Sequence, residues 1–160
     1  MAKKYRLLIA EGNPHVATIL TQTLKNDFAL TVVNTGQDAA RLLIQGDRFD
    51  CVLTELNLPF FSGLELTKLI RMSKLIGQTP VVVLSSATDS ITRIECLEQG
   101  VDSYISKPFN PLEVKAKLHA LLRWSTPAPE DVSRRIVPVR LPPNPGPFGK
   151  LKSRILSLIM

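Results

Sequence analysis

Residues 49–63 read FDCVLTELNLPFFSG, and the fold prediction starts from this stretch. Its first half, residues 51–54, is a largely apolar run without alternation, which is typical of a parallel strand buried on both faces. The run stops at Glu55, where a turn containing Pro59 and Gly63 begins. In doubly wound α/β sheets, ligands and chemistry lie at the carboxyl ends of the strands. We therefore expect the Glu55 carboxylate to lie at the functional edge of such a sheet.

On both sides of this stretch, short apolar runs alternate with helical patterns. Strands are predicted at residues 5–10, 30–33, 51–55, 80–84 and 103–106. Helices are predicted to follow them, beginning at Pro14, Asp38, Leu64, about Ile91 and Pro111. The alternation predicts a doubly wound, five-stranded parallel sheet of the α/β class, covered by helices on both faces.

The motif around Glu55, Asp-x-Val-Leu-x-acid-Leu-x-Leu-Pro-x-x-x-Gly, resembles the centre of response-regulator receiver domains, the CheY-like family. The resemblance covers about residues 4–124 and implies the flavodoxin/CheY-like fold. In that family the acid is an aspartate that becomes phosphorylated, and here it is Glu55. The resemblance places the other positions of a phosphoacceptor pocket and a switch aromatic at Glu11 and Gly12 (the acidic pair), Ser86 (the Ser/Thr), Lys107 (the Lys-Pro) and Tyr104 (the aromatic).

The pocket so assigned is degenerate. Phosphoryl transfer to a carboxylate uses Mg²⁺, which requires oxygen ligands at short, fixed distances. Gly12 has no side chain, and Glu11 and Glu55 each carry one methylene more than aspartate. A displacement of roughly an ångström can cost about 10²-fold in rate. We therefore expect no phosphorylation of Glu55, no enzymatic activity and no bound metal.

Two interpretations of Glu55 remain open. In the first, its longer carboxylate reaches Lys107, imitates the charge of a phosphorylated aspartate and holds the domain in an active shape. In the second, it pairs with Lys107 and has no signalling role. Tyr104 is expected to belong to a partner-binding face made by the fourth helix, the fifth strand and the fifth helix.

Composition changes sharply near Trp124, where we place the end of the first domain, residues 1–124. Of a net charge of +6, the segment 125–160 carries six basic against two acidic residues, together with seven of the twelve prolines. We divide it into a Pro/Arg-rich extension, 125–149, and a short amphipathic helix, 150–160.

The extension carries the candidate ligand site. Arg134, Arg135 and Arg140 offer planar guanidinium groups, which bind phosphate bidentately, stack on flat bases and pair with the O6/N7 edge of guanine. The Asp131 carboxylate can accept from the guanine N–H groups. A small dianion with two guanines, cyclic di-GMP, would use all four residues.

A CheY-like domain with such an extension resembles the Cle group of CheY-like effectors. That resemblance implies cyclic di-GMP as the ligand, ordering of the extension on binding, and the flagellar motor switch protein as the partner. The alternatives left open are a single-domain regulator controlled by phosphorylation and a constitutive, Glu-for-Asp protein-interaction module.

The cellular expectations are less specific. The first residues lead directly into a strand and no apolar run is long enough to span a bilayer, so we expect a cytoplasmic protein without stable membrane insertion. The resemblance to the Cle group implies its recruitment to the flagellar motor. The basic tail has few aromatic residues, and we expect no nucleic-acid partner. Cys51 and Cys96 are expected to be buried, reduced thiols.

Overall fold

A computed structural model of the protein describes residues 3–125. The strands are β1 (Tyr5–Ala10), β2 (Phe28–Val33), β3 (Cys51–Glu55), β4 (Val81–Ser85) and β5 (Ser103–Ser106). The helices are α1 (Pro14–Leu24), α2 (Gly36–Ile44), α3 (Gly63–Met72), α4 (Ser90–Glu98) and α5 (Pro111–Ser125). The predictions for the extension and the final amphipathic helix concern residues outside this range, from residue 126 onward.

All neighbouring strands pair in parallel, in the order β2-β1-β3-β4-β5. This confirms the predicted doubly wound sheet. The order changes direction at β1, so β1 and β3 lie side by side at the point where such sheets bind ligands.

The core has two layers, one on each face of the sheet. On one face, Leu20 and Leu24 of α1 and Leu118 of α5 form a buried cluster with the strand side chains that point to that face. On the other, α2, α3 and α4 cover a second cluster, to which α3 contributes Leu66 and Ile70. Both faces of β3 and β4 are buried, and their uninterrupted apolar sequences follow from that.

Helix α4 forms where its apolar spacing predicts, but that apolar face does not pack on the sheet. Ile91, Ile94 and Leu97 are 77%, 53% and 47% exposed, and Cys96 is the buried residue of this helix. The helix lies against β5, an edge strand of only four residues, so it has little sheet to cover. The free cysteines Cys51 and Cys96 are both buried, as predicted.

The loop between β3 and α3 fixes the backbone that carries Glu55. The Gly63 N–H donates to the Leu56 carbonyl over 2.9 Å. A Cβ at Gly63 would lie 2.4 Å from the Glu55 carbonyl oxygen, so only glycine allows this approach. Within residues 3–125, none of the helices has the length and apolar character required to cross a membrane.

Candidate functional site

Three charged side chains meet at the carboxyl edge of the sheet. Glu11 directly follows β1, Glu55 is the last residue of β3, and Lys107 directly follows β5. The Lys107 backbone N–H donates to the Ser85 carbonyl over 2.7 Å, which fixes the chain as it leaves the sheet. The topology therefore brings together residues that are up to 96 positions apart in the chain.

The Lys107 ammonium bridges the two carboxylates. Its Nζ lies 3.1 Å from Glu11 Oε2, 3.3 Å from Glu11 Oε1 and 3.1 Å from Glu55 Oε1. The side chains of Lys107, Glu11 and Glu55 are 15%, 1% and 20% exposed. The contact between Glu55 and Lys107 was predicted, and the second contact, from Lys107 to the buried Glu11, was not.

Backbone N–H groups donate the remaining hydrogen bonds to both carboxylates. Glu11 Oε1 accepts from the Asn13 N–H at 3.0 Å, and Glu55 Oε2 accepts from the Gly12 N–H at 3.3 Å. Asn13 itself caps α1, since its side-chain oxygen accepts from the His15 N–H. Each of the four carboxylate oxygens therefore has a hydrogen-bond donor from the protein.

The two carboxyl groups differ in their affinity for a proton. Burial raises the pKa of Glu11 above the ordinary value of 4.5, and the adjoining Glu55 carboxyl adds to the effect, against the donors Asn13 and Lys107. Burial would also raise the pKa of Glu55, but hydrogen bonds with Glu11, Lys107 and the Gly12 N–H hold it below 4.5. On acidification the first proton therefore goes to Glu11.

This difference gives the stability of the domain a pH dependence that Glu11→Gln should remove. A carboxyl group whose pKa is raised by folding binds more protons in the folded state, so its contribution falls as the pH rises. We expect the unfolding free energy of the wild type, relative to Glu11→Gln, to fall from about pH 4.5 upward and to level off above the raised pKa of Glu11. Urea unfolding at a series of pH values measures this, and a relative stability that rises with pH would contradict it.

The residues present do not fit a Mg²⁺ ion of the kind the receiver family uses. Mg²⁺ requires nearly octahedral oxygen coordination. Here Gly12 offers no side-chain ligand, and the Lys107 ammonium already contacts both carboxylates. Among residues 3–125, no group of three or more His, Cys, Asp and Glu side chains is placed to hold a metal ion.

Gly12 leaves open space beside this cluster. A Cβ at position 12 would meet its nearest atoms, the Asn34 carbonyl oxygen, Glu55 Oε2 and Leu58 Cδ2, at 3.5, 3.7 and 3.7 Å, which are ordinary contacts. A cavity of about 620 Å³, lined among others by Gly12, Asn34 and Glu55, opens there. The backbone would therefore accept an aspartate at position 12, and the missing ligand is a property of the sequence rather than of the fold.

Ser86 does not join the cluster. It is exposed, and within the described part of the chain its hydroxyl makes no hydrogen bond. The buried serine at this edge is Ser85, whose Oγ accepts from the Ala87 N–H and whose carbonyl holds Lys107. The strand predicted from the sequence ended at Leu84, one residue before the observed end of β4 at Ser85, and Ser85 was therefore not among the predicted site residues.

Tyr104 is held against the loop between β4 and α4. Its hydroxyl donates to the Ala87 carbonyl over 2.7 Å. The Arg93 guanidinium lies 5.4 Å from the centre of its ring and donates to the Ser106 hydroxyl over 3.2 Å. Tyr104 and Arg93 therefore link β5 to α4, two of the three elements of the predicted partner face.

The candidate ligand residues Asp131, Arg134, Arg135 and Arg140 lie outside the described residues. Their assignment to cyclic di-GMP stays a prediction from the sequence.

The chain matches known proteins over its receiver-like part. The family model for the response regulator receiver domain matches residues 7–119. The DNA-binding response regulator MtrA of Mycolicibacterium smegmatis is 31% identical over 130 residues, 81% of this chain and 55% of MtrA. The transcriptional regulatory protein SrrA of Staphylococcus aureus is 32% identical over 118 residues, 73% of this chain and 47% of SrrA. The chain thus spans about half the length of these curated relatives.

Solved structures agree with this match. The receiver domain of the Francisella response regulator 1452 superposes with a TM-score of 0.70 at 26% identity, over 77% of this chain and all of that domain (100%). A putative response regulator from Chloroflexus aurantiacus gives a TM-score of 0.71 at 25% identity, over 76% of this chain and 99% of that structure.

Proposed function

This chain belongs to the response regulator receiver family, and from that premise we propose that it is a non-enzymatic signalling effector controlled by cyclic di-GMP and not by phosphorylation. The observation that carries the proposal is the Lys107 bridge. Its ammonium contacts both carboxylates of the pocket where the family binds Mg²⁺ and accepts phosphate. Such a pocket would hold a fixed arrangement of charge and would not accept a phosphoryl group.

The ligand is proposed from the extension. Arg134, Arg135 and Arg140 would bind the phosphates and guanines of cyclic di-GMP, and Asp131 would accept from a guanine edge. Charge-assisted, bidentate hydrogen bonds of this kind are about twice as strong as neutral ones. An extension that orders on ligand binding would give the protein a switch that does not use Glu55.

The partner is proposed to be the flagellar motor switch protein, reached in the cytoplasm through the face that contains Tyr104. Exposed Ile91 and Ile94 on α4, close to the Arg93 side chain that covers Tyr104, give this face apolar contact area. The names of MtrA and SrrA describe DNA-binding and transcriptional regulators. The similarity to them extends over about half their length, so those names describe proteins with a further part that the match does not include.

A second candidate is a constitutive protein-interaction module in which Glu55 imitates the phosphorylated state. The 3.1 Å contact between Glu55 and Lys107 and the hydrogen bond from Tyr104 to Ala87 favour it. The two candidates differ in whether binding of the partner depends on cyclic di-GMP. A constitutive module binds its partner equally well with and without cyclic di-GMP.

Phosphorylation is tested with acetyl phosphate and Mg²⁺, followed by intact-mass spectrometry. We expect no phosphate adduct on the native chain, because Gly12 supplies no carboxylate ligand to the metal and the Glu55 side chain is one methylene longer than aspartate. The double variant Gly12→Asp, Glu55→Asp is expected to gain a Mg²⁺-dependent adduct, since position 12 has room for the side chain. An adduct on Glu55 of the native chain would contradict the proposal.

A further inference from the structure

A groove lies at the edge of the sheet opposite Glu55 and Lys107, between the ends of α2 and α3. Both helices begin at the carboxyl edge of the sheet, so their last residues, Ile44 and Met72, lie at the amino edge. The groove has a volume of about 290 Å³, and its lining includes Leu43, Ile44, Arg48, Leu69, Leu75 and Ile76. It shares no lining residue with the cluster around Lys107.

Apolar side chains stand uncovered around this groove. Ile44 and Leu75, which line it, are 73% and 75% exposed, and Met72 at the end of α3 is 83% exposed. Buried Leu43 and half-buried Ile76 form the floor. Single exposed apolar residues are ordinary on a protein surface, but several at one concave place indicate an interaction site. A cavity of about 150 Å³ holds a benzene molecule, so this groove has room for two apolar side chains of about that size.

The rim of the groove is basic. Arg48 lines it, Lys74 lies between the lining residues Ser73 and Leu75, and Lys68 lies one turn before Met72 on the same face of α3. Within residues 3–125, the side chains of these three cations form no ion pair, and all three are exposed. The acid that lines the groove is Asp47. The rim therefore presents an excess of positive charge that the domain itself does not neutralise.

We propose that this groove binds an acidic amphipathic helix of a partner protein. The helix would carry apolar side chains at i, i+3, i+4 and i+7, two of which would enter between Ile44 and Leu75, and its carboxylates would face Arg48, Lys68 and Lys74. An apolar floor with a basic rim matches such a helix both in shape and in charge. The inference goes beyond the proposed function, because it uses neither the extension nor the Lys107 cluster.

Two other occupants fit the observations less well. A symmetric contact between two copies places the same surface on both sides, so it would bring the unpaired cations of one copy close to those of the other. A flat lipid surface would not fill a concave groove, and membrane attachment by charge and apolar contact relies on a larger basic face.

The test uses the intact chain and a defined probe. The probe is a synthetic helical peptide with leucine at i, i+3, i+4 and i+7 and glutamate elsewhere, and its control carries lysine in place of glutamate. We expect the acidic peptide to shift the amide signals of the groove residues in NMR spectra, and to bind at least about tenfold more tightly than the lysine peptide.

Surface variants locate the site. Leu75→Ser and Lys74→Glu change exposed side chains and should each weaken the acidic peptide by about tenfold or more. Ile19→Ser, which removes an exposed apolar side chain from α1 on the other face of the sheet, is the control and should leave the affinity unchanged.

Three results would overturn the proposal. One is equal binding of the two peptides, and another is a loss of binding in Ile19→Ser but not in Leu75→Ser. The third is a groove already occupied by something else. Concentration-dependent dimerisation abolished by Leu75→Ser would assign the groove to a second copy, and pelleting with anionic phosphatidylserine vesicles abolished by the same change would assign it to a membrane.

Discussion

Lys107→Met is expected to lower the unfolding free energy of the domain by about 3 kcal/mol, because it leaves two carboxylates facing each other without their shared cation. Glu11 is almost completely buried, and Glu55 is 20% exposed. Removing one partner of a buried ion pair costs the desolvation of the charge that stays behind. Urea unfolding monitored by circular dichroism measures the difference.

Two matched variants separate this effect from a general loss of lysine. Lys117→Met removes the exposed pair with Glu113, whose side chains are 39% and 52% exposed, and should cost less than about 0.5 kcal/mol. The triple variant Lys107→Met, Glu11→Gln, Glu55→Gln removes the unpaired charges as well and should recover much of the stability. If Lys107→Met were no more destabilised than Lys117→Met, the three side chains would not form the bridged cluster.

Arg134→Ala in the intact chain is expected to weaken cyclic di-GMP binding by about ten- to a hundredfold. Hydrogen bonds to charged groups contribute about 1.5–3 kcal/mol each, and 1.4 kcal/mol corresponds to a factor of ten. Arg135→Ala and Arg140→Ala should act in the same direction. Calorimetric titration of the nucleotide into each variant measures the change.

The control for this series is Arg154→Ala, which removes a basic residue outside the proposed ligand segment. It should leave the affinity within about twofold, since a specific site depends on where the guanidinium groups stand and not on the total charge. An equal loss for Arg154→Ala and Arg134→Ala would indicate nonspecific attraction between a basic tail and a dianion.

The fold could be predicted from the sequence because the strands are buried on both faces. Continuous apolar runs such as those of β3 and β4 occur where helices cover a parallel sheet from both sides, and turn residues such as Gly63 mark where each strand ends. The helix positions followed from the spacing of apolar residues, which repeats with the period of an α-helix. That spacing does not say which element a helix packs against, and this is why the exposed face of α4 was not foreseen.

The sequence predicted the contact between Glu55 and Lys107, but it did not predict that Glu11 shares the same ammonium. The motif placed Glu55 and Lys107 in one pocket, and the structure brings them to 3.1 Å. The burial of Glu11 and its sharing of the same ammonium depend on the packing of β1 between β2 and β3, which no local pattern encodes. Ser86 was misjudged because the end of β4 differs by one residue, and in a strand one residue decides which side chain is buried.

We propose that control of this protein lies in the residues around Arg134 and not in the pocket around Glu55. A titration of the isotope-labelled intact chain with cyclic di-GMP, followed by NMR in the absence of Mg²⁺, tests it most directly. We expect saturable shifts of the amide signals of residues 131–140, and no shifts from direct ligand contact at Glu11, Glu55 and Lys107. Shifts centred on Glu55 and Lys107, or no shifts at micromolar ligand, would contradict it.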